Sequence, residues 1–533
     1  MKTQYSDIDT QELDSLIQRV SEAKEHNLAL TPEDCQLLID ALLTLASMQE
    51  NLASNSITIH KLKKLVGMVK SSEKLQTSLA QGNAKKSKKK KPNKSDSPVA
   101  KLKPVIVHHE QTNITKGDNC PECDSGKLYK YEPATLLRII GQSPFQSEQH
   151  VMERLRCNAC NSYFTAPLPE EVLRDGGVNQ KYGYSARSIM GISKFGMGSP
   201  YYRQESMQDL LGVPITASSV FDQIEHLANA LHPVFRNLCS LAADAAHYYL
   251  DDTTNRILDA KPIIKKQRNS TKSKERTGVY TSGLIATLES GQQVTLFETN
   301  IGYAGEFIDQ ILQTRDTSGP PPILMCDGLA SNKPSNIHSI MSLCNSHGRR
   351  QFYDVMSHFP EEVEYILDRY GVIWHNNSVT IEKKLSDNAR LDYHKEHSLP
   401  VMQEILAWGQ SMLQSKGPQL AKVEENSGLG KAIRYFIKHY EGLVRFCHVA
   451  GAQLDNNKIE SALKLVVRNR KNAGFYKTQA GASIGDVTMS MIATCAQSGV
   501  NAFEYFNLLQ RDNQKVIANP EKYLPWNYQE NNV

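Results

Sequence analysis

Two aspartates near strand ends, one glutamate on a distant helix, and two pairs of cysteines have the types and spacing to do chemistry here. HYYLDDTTNRILD is a β-rich run carrying Asp251 and Asp252, and in PPILMCDGLASN a short apolar run ends at Asp327. A strand that delivers an acid near its C-terminal end places it where α/β sheets bind ligands. One such aspartate is ordinarily a turn residue. The third acid, Glu460, lies in LDNNKIESALKLVVRNRKNAGFY, residues 454–476. Carboxylates from two strands and a helix, Asp251 or Asp252 with Asp327 and Glu460, suit a pair of Mg²⁺ (or Mn²⁺) ions, because hard divalent cations take oxygen ligands. Such a pair activates an attacking oxygen and stabilises the leaving one, the chemistry of phosphodiester cleavage and strand transfer.

The cysteines point to a different metal. Cys120-Pro-Glu-Cys123 and Cys157-Asn-Ala-Cys160 are two C-x-x-C knuckles, and each places two thiolates on one side of a tetrahedral structural Zn²⁺. The β-rich runs between and after them suggest a zinc ribbon. The other six cysteines are scattered singly, which fits a reducing compartment rather than a disulfide framework. Cys344-Asn-Ser-His347 also has metal-like spacing, but no second knuckle is near, and it adjoins Arg349 and Arg350. It reads as packing plus phosphate contact.

These residues need elements to position them. Ile459, Ala462, Leu463, Val466 and Val467 recur at helical spacing, so 454–476 is an amphipathic helix, with Asp455 and Asn456 at its start and Gly474 as its stop. Glu460, Lys464, Arg468 and Lys471 form a second stripe beside the buried one; on any single helix that is an ordinary solvated Glu–Lys face. Upstream, TGVYTSGLIATL and QQVTLFETN are further strands, and IGYAGEFIDQILQ has helical spacing. Residues 331–453 read as an inserted helical stretch. YYRQESMQDLLGVPITASSVFDQIEHL has the outline of a helix-turn-helix around Gly212.

The N-terminal region has no catalytic motif. Leu38, Leu45, Leu52, Ile59 and Val66 recur every seven residues, a coiled-coil seam that implies a homo-oligomer; a bent helical hairpin is the plainer alternative. AKKSKKKKPNKSDSPVAKLK, residues 84–103, is a disordered basic linker that attracts phosphate backbones without reading sequence. At 533 residues several domains are expected. The net charge is only +4, so basic character is local rather than global. No apolar run has signal-peptide or membrane-spanning length, so a soluble cytoplasmic protein without membrane contact is expected.

With LDDTTNRIL, LMCDG, CNSHGRRQF, DNNKIESALKLVVRNRKNAGF and LPWNY in this order, and KFGMGSPYYRQESM ahead of them, the chain resembles a transposase of the insertion-sequence-66 family across nearly its whole length. That resemblance implies a multidomain α/β protein whose catalytic core is RNase H-like and of DDE type, with a helical insertion. It makes Asp251, Asp327 and Glu460 the catalytic triad. The family usually has Asp-Glu-Thr where this chain has Asp251-Asp252-Thr253, which keeps Asp252 as second choice. CNSH stands in place of the usual Cys-Trp-Ala-His. Arg468, Arg470 and Lys471 match the family's basic block, and with Lys464, Arg349 and Arg350 are the expected DNA contacts. Terminal inverted repeats and target DNA are the implied partners, with accessory proteins of the same element, at the bacterial nucleoid. The expected order is a coiled-coil or helical segment (1–80), lysine-rich linker (81–106), zinc ribbon (107–175) and helix-turn-helix-like domain (176–240). The core's first part (241–330), helical insertion (331–453), Glu-bearing part (454–510) and tail (511–533) follow. The competing reading is a zinc-ribbon DNA-binding accessory or regulatory protein without catalysis.

Overall fold

The computed structural model describes residues 10–26, 29–38, 116–119, 127–129, 143–156, 158, 162–177, 180–266, 273–334, 338–414 and 423–528. The chain divides into two units, Met1–Asn93 and Lys94–Val533. In the first, helix Thr10–His26 is joined to the following segment by an Arg19–Asp34 ion pair of 2.8 Å. The heptads beyond residue 38, the lysine linker and Cys120, Cys123, Cys157 and Cys160 lie outside the described residues. Of the expected zinc ribbon, a short antiparallel pairing of 154–156 with 163–165 is described.

The second unit is built on a five-stranded mixed sheet: β1 (His247–Asn255), β2 (Val279–Thr287), β3 (Gln293–Asn300), β4 (Ile323–Cys326) and β5 (Ile340–Leu343), in the order β3-β2-β1-β4-β5. The first three form an antiparallel meander, and β4 and β5 run parallel to β1. This mixed α/β arrangement is consistent with an RNase H-like core. Strand alternation sorts the apolar residues onto two faces. Tyr248, Leu250, Leu284, Leu296 and Leu324 enter one buried cluster; Tyr249, Ile285, Phe297 and Met325 enter the other. Strand β5 falls inside the stretch expected to be helical. Its four residues, IMSL, are too few for a period to register, and pairing with β4 defines the strand.

The expected helix pair comprises α1 (Tyr201–Leu210) and α2 (Ala217–Ala243), turning at Gly212 with φ +79°. Thr216 caps α2 by accepting the Ser219 N–H at 3.2 Å. This second helix has 27 residues and is buried along one side from Val220 to Ala243, so most of it is core. After β3 comes α3 (Ala304–Ile311). Between β5 and the Glu-bearing helix stand α4 (Asn345–Tyr353), α5 (Pro360–Glu382), α6 (Asp387–His397), α7 (Leu399–Leu413) and α8 (Gly428–Leu443). Then follow α9 (Asn457–Ala473) and α10 (Gln479–Gln497). Gly474 ends α9 with φ +81°, a conformation that costs glycine little. No helix among the described residues is long and apolar enough to cross a membrane.

Helix α10 seals one border of the sheet. The outward N–H groups of Thr299, Phe297 and Thr295 on β3 donate to Asp486 Oδ2 (2.7 Å), Ser490 Oγ (2.9 Å) and Thr494 Oγ1 (3.1 Å). Four helical residues rise about 6 Å and two strand residues about 6.8 Å, so one polar side chain per turn meets every second N–H. Asp486 also accepts the Thr299 hydroxyl at 2.6 Å. Burial nevertheless pushes its carboxyl up to about 8, from an ordinary 3.8. A raised acid keeps its proton longer in the folded chain than in the unfolded one. Its contribution therefore falls as pH rises from about 4 to about 8 and is flat above. Asp486→Asn should flatten that part of the pH dependence. Urea melts at about pH 5, 7 and 9 test this: the same slope in both proteins would assign it to other groups.

Candidate active site

The site forms where β1, β4 and α9 meet. On β1, Asp251 stands opposite Gly283 of β2, and directly opposed residues share a face. A Cβ placed on Gly283 would lie 3.0 Å from Ile459 Cδ1 and 3.0 Å from Leu463 Cδ2 of α9. Asp251 is therefore on the face that α9 covers. Residues 247–249 of β1 register against 323–325 of β4, and the same register carried two residues further sets Asp327 level with Asp251. Met325, two residues before Asp327, lies in the cluster on that same face.

Glu460 arrives in the first turn of α9. The start of that helix is stitched to the sheet: Asn456, fully buried, donates through Nδ2 to the Leu250 carbonyl at 2.8 Å. Deeper along α9, Asn469 accepts from the buried Lys194 ammonium at 2.5 Å, and burial brings that lysine down to about 8. Asp251 registers the convergence. Burial first, then the charges of Asp327, Asp252 and Glu460, push its carboxyl up to about 7, against the hydrogen bond from the Asp252 N–H. Asp327 accepts the Leu329 N–H at 3.0 Å and the Asn332 amide at 2.8 Å, which fix the turn after β4.

Asp252 points to the opposite face. Its Oδ2 receives the Ala304 N–H, at the start of α3, at 3.5 Å. Burial raises its carboxyl, and this helix-end bond works against the rise. The two adjacent aspartates are thus separated by the pleat.

The basic residues divide as well. Lys464, Arg468 and Lys471 are exposed along one stripe of α9, with the Arg468 stem packed over Gly198, where a Cβ would be 2.8 Å from Arg468 Cγ. Arg470 turns inward: its Nη1 donates to Thr253 Oγ1 (3.0 Å), Thr254 Oγ1 (2.8 Å) and the Thr254 carbonyl, tying the end of α9 to β1. Arg349 is half-buried with its guanidinium over the Tyr353 ring, 5.7 Å from the centroid, and Arg350 is exposed. Sequence reasoning left His347 out of the site. It lies on α4, with Nδ1 3.7 Å from Glu460 Oε1. The C-x-x-H spacing was its only local signal, because its neighbour comes from a helix far along the chain.

Comparison with known proteins agrees with this architecture. The family model described as "Transposase IS66 family" matches residues 182–484, which include the sheet, α9 and all three acids. An uncharacterised protein of Sinorhizobium fredii, y4hP, is 24% identical over 461 residues, covering 81% of this chain and 77% of its own. A second from the same organism, y4jD, is 23% identical over 438 residues, covering 77% and 78%. Fold and match place the protein among the DDE transposases, enzymes of DNA transposition that use divalent metals. Within that class, the chain belongs to the IS66 transposase family.

Proposed function

We propose that Asp251, Asp327 and Glu460 are the catalytic carboxylates, holding two Mg²⁺ (or Mn²⁺) ions between them. The observation that carries this reading is the strand geometry: β1–β4 register and pleat direction set Asp251 and Asp327 level, on the face α9 covers. The donor set fits such ions. All its ligands are oxygens, Glu460 Oε1 is buried without a hydrogen-bond partner, and Asp251 is raised by burial and then by its acidic neighbours, a penalty a divalent cation would offset. When bound, the ions would neutralise phosphate charge and supply an activated oxygen nucleophile. The chain's own groups do the rest. Asn456 and Arg470 hold α9 against β1, and Lys464, Arg468, Lys471 and Arg350 offer charge to DNA phosphates. The reaction is hydrolysis at the element's ends, followed by attack of the freed 3′-hydroxyl on target DNA at the same carboxylates.

The remaining parts serve recognition and assembly. Cys120, Cys123, Cys157 and Cys160 would bind a structural Zn²⁺, and that ribbon with the α1–α2 pair would read terminal inverted repeats. The lysine linker adds salt-sensitive affinity. Two ends must meet, which the 30–75 heptads would serve by self-association.

The test is a Mg²⁺-dependent cleavage and joining assay on DNA carrying the element's ends, comparing wild type with Glu460→Gln. Joined product from wild type alone supports the assignment. Equal joining by both proteins removes Glu460 from the site.

A further inference from the structure

Glu460 has neighbours that a magnesium site does not call for. Its carboxylate oxygen, a ring nitrogen of His347 and the sulfur of Cys344 all lie within 4.8 Å of one another. We propose that Cys344, His347 and Glu460 form a second, softer metal site, which takes Zn²⁺ and borrows Glu460 from the carboxylate set.

The geometry favours an ion over a simple His–Glu contact. His347 Nδ1 and Glu460 Oε1 are 3.7 Å apart, too far for a good hydrogen bond, and each is buried without a hydrogen-bond partner. Ligands at 2.0–2.3 Å from a tetrahedral ion stand roughly 3.3–3.8 Å apart, so atoms within 4.8 Å of one another need about 1–1.5 Å of side-chain adjustment at most. Cys344 is 1% exposed and sits at the N-terminus of α4; its sulfur accepts the Asn456 N–H at 3.2 Å. Burial pushes this thiol up to about 11, against the Asn456 N–H, so an ion bound here would displace the thiol proton. The scaffold is braced: Asn345 donates to the Leu443 and Leu454 carbonyls, and Ser346 to Asn457 at 3.2 Å. Thiolate, imidazole and carboxylate form a zinc-type donor set with one position left for water, and magnesium has little affinity for the first two. The C-x-x-H motif thus gains its missing ligand from α9.

Zinc here would occupy Glu460 and oppose the Mg²⁺-dependent reaction. This consequence rests on the catalytic assignment above, whereas the binding does not. The test is equilibrium dialysis of the full-length protein against Co²⁺, read by bound metal per chain and by the thiolate-to-cobalt absorption band. Wild type should bind one thiolate-ligated ion more than Cys344→Ser. His347→Gln, at a half-buried position, should lose the same ion and guards against misfolding of the serine variant. Cys120→Ser/Cys123→Ser should keep it, which separates this site from the zinc ribbon. Equal stoichiometry and spectra in wild type, Cys344→Ser and His347→Gln overturn the proposal. Intact binding without zinc inhibition of cleavage upholds the site and removes Glu460 from catalysis instead.

Discussion

Asp251→Asn is expected to abolish strand cleavage and joining, whereas Asp252→Asn should leave both close to wild type. The two residues are adjacent and chemically identical, so only the pleat distinguishes them. Asp251 shares its face with Gly283 and α9, while Asp252 meets the Ala304 N–H on the other side. Removing a charge-bearing ligand at a phosphoryl-transfer centre should cost at least roughly 10³-fold, the scale on which single preorganised groups act. Binding of end DNA should persist in Asp251→Asn, because the phosphate contacts proposed above come from the basic stripe and not from this acid. Metal-free Asp251→Asn should also melt higher than wild type, since it removes a buried carboxyl crowded by three others. Asp252→Asn should shift stability in the same direction but by less, since burial raises that carboxyl too while the Ala304 N–H works against the rise. Thermal melts and a gel-based cleavage assay on the two variants decide the matter. Inactive Asp252→Asn with active Asp251→Asn would reverse the assignment.

The second large effect comes from a residue with no side chain. At Gly283 even a Cβ would reach 3.0 Å from Ile459 and Leu463, tighter than ordinary packing. Gly283→Val adds two methyl groups in that direction and must lift α9 away from β2. Overpacking of this kind costs about 1–3 kcal/mol. Because α9 carries Glu460 directly after Ile459, the displacement should also lower cleavage, by more than the stability loss explains. Urea melts fix the first number, and single-turnover cleavage well below the melting temperature gives the second. A stable Gly283→Val protein with full activity would show that α9 tolerates the shift.

Helix α9 was legible almost to its ends. Its stripe of Ile459, Leu463 and Val466 is buried as the period requires, and Gly474 stops it. Asn456 precedes the helix as expected but makes no side-chain cap to it; its amide reaches across to Leu250, a bond that local reasoning has no means to find. The aspartate-bearing strands were visible because their apolar runs are long or sharply bounded. Strand β5 was not, since four residues carry no period. Which of Asp251 and Asp252 faces α9 needed the partner strands, because two consecutive acids leave the alternation unreadable. Arg470 and Lys471 looked equivalent in the basic block, and the structure turns the first inward and leaves the second in solvent. The meeting of Cys344 and His347 with Glu460 depends on chain segments far apart in sequence.

The row of Asp486, Ser490 and Thr494 along β3 has a consequence for how this enzyme meets copies of itself. An open strand border is a template: any extended segment with free N–H and C=O groups can add to it. Here the N–H groups of Thr295, Phe297 and Thr299 are already spent on a helix of the same chain. The sheet cannot be continued on that side by another molecule. One route to irreversible stacking is thus blocked, and any contact between copies on that side has to be made by helices and side chains.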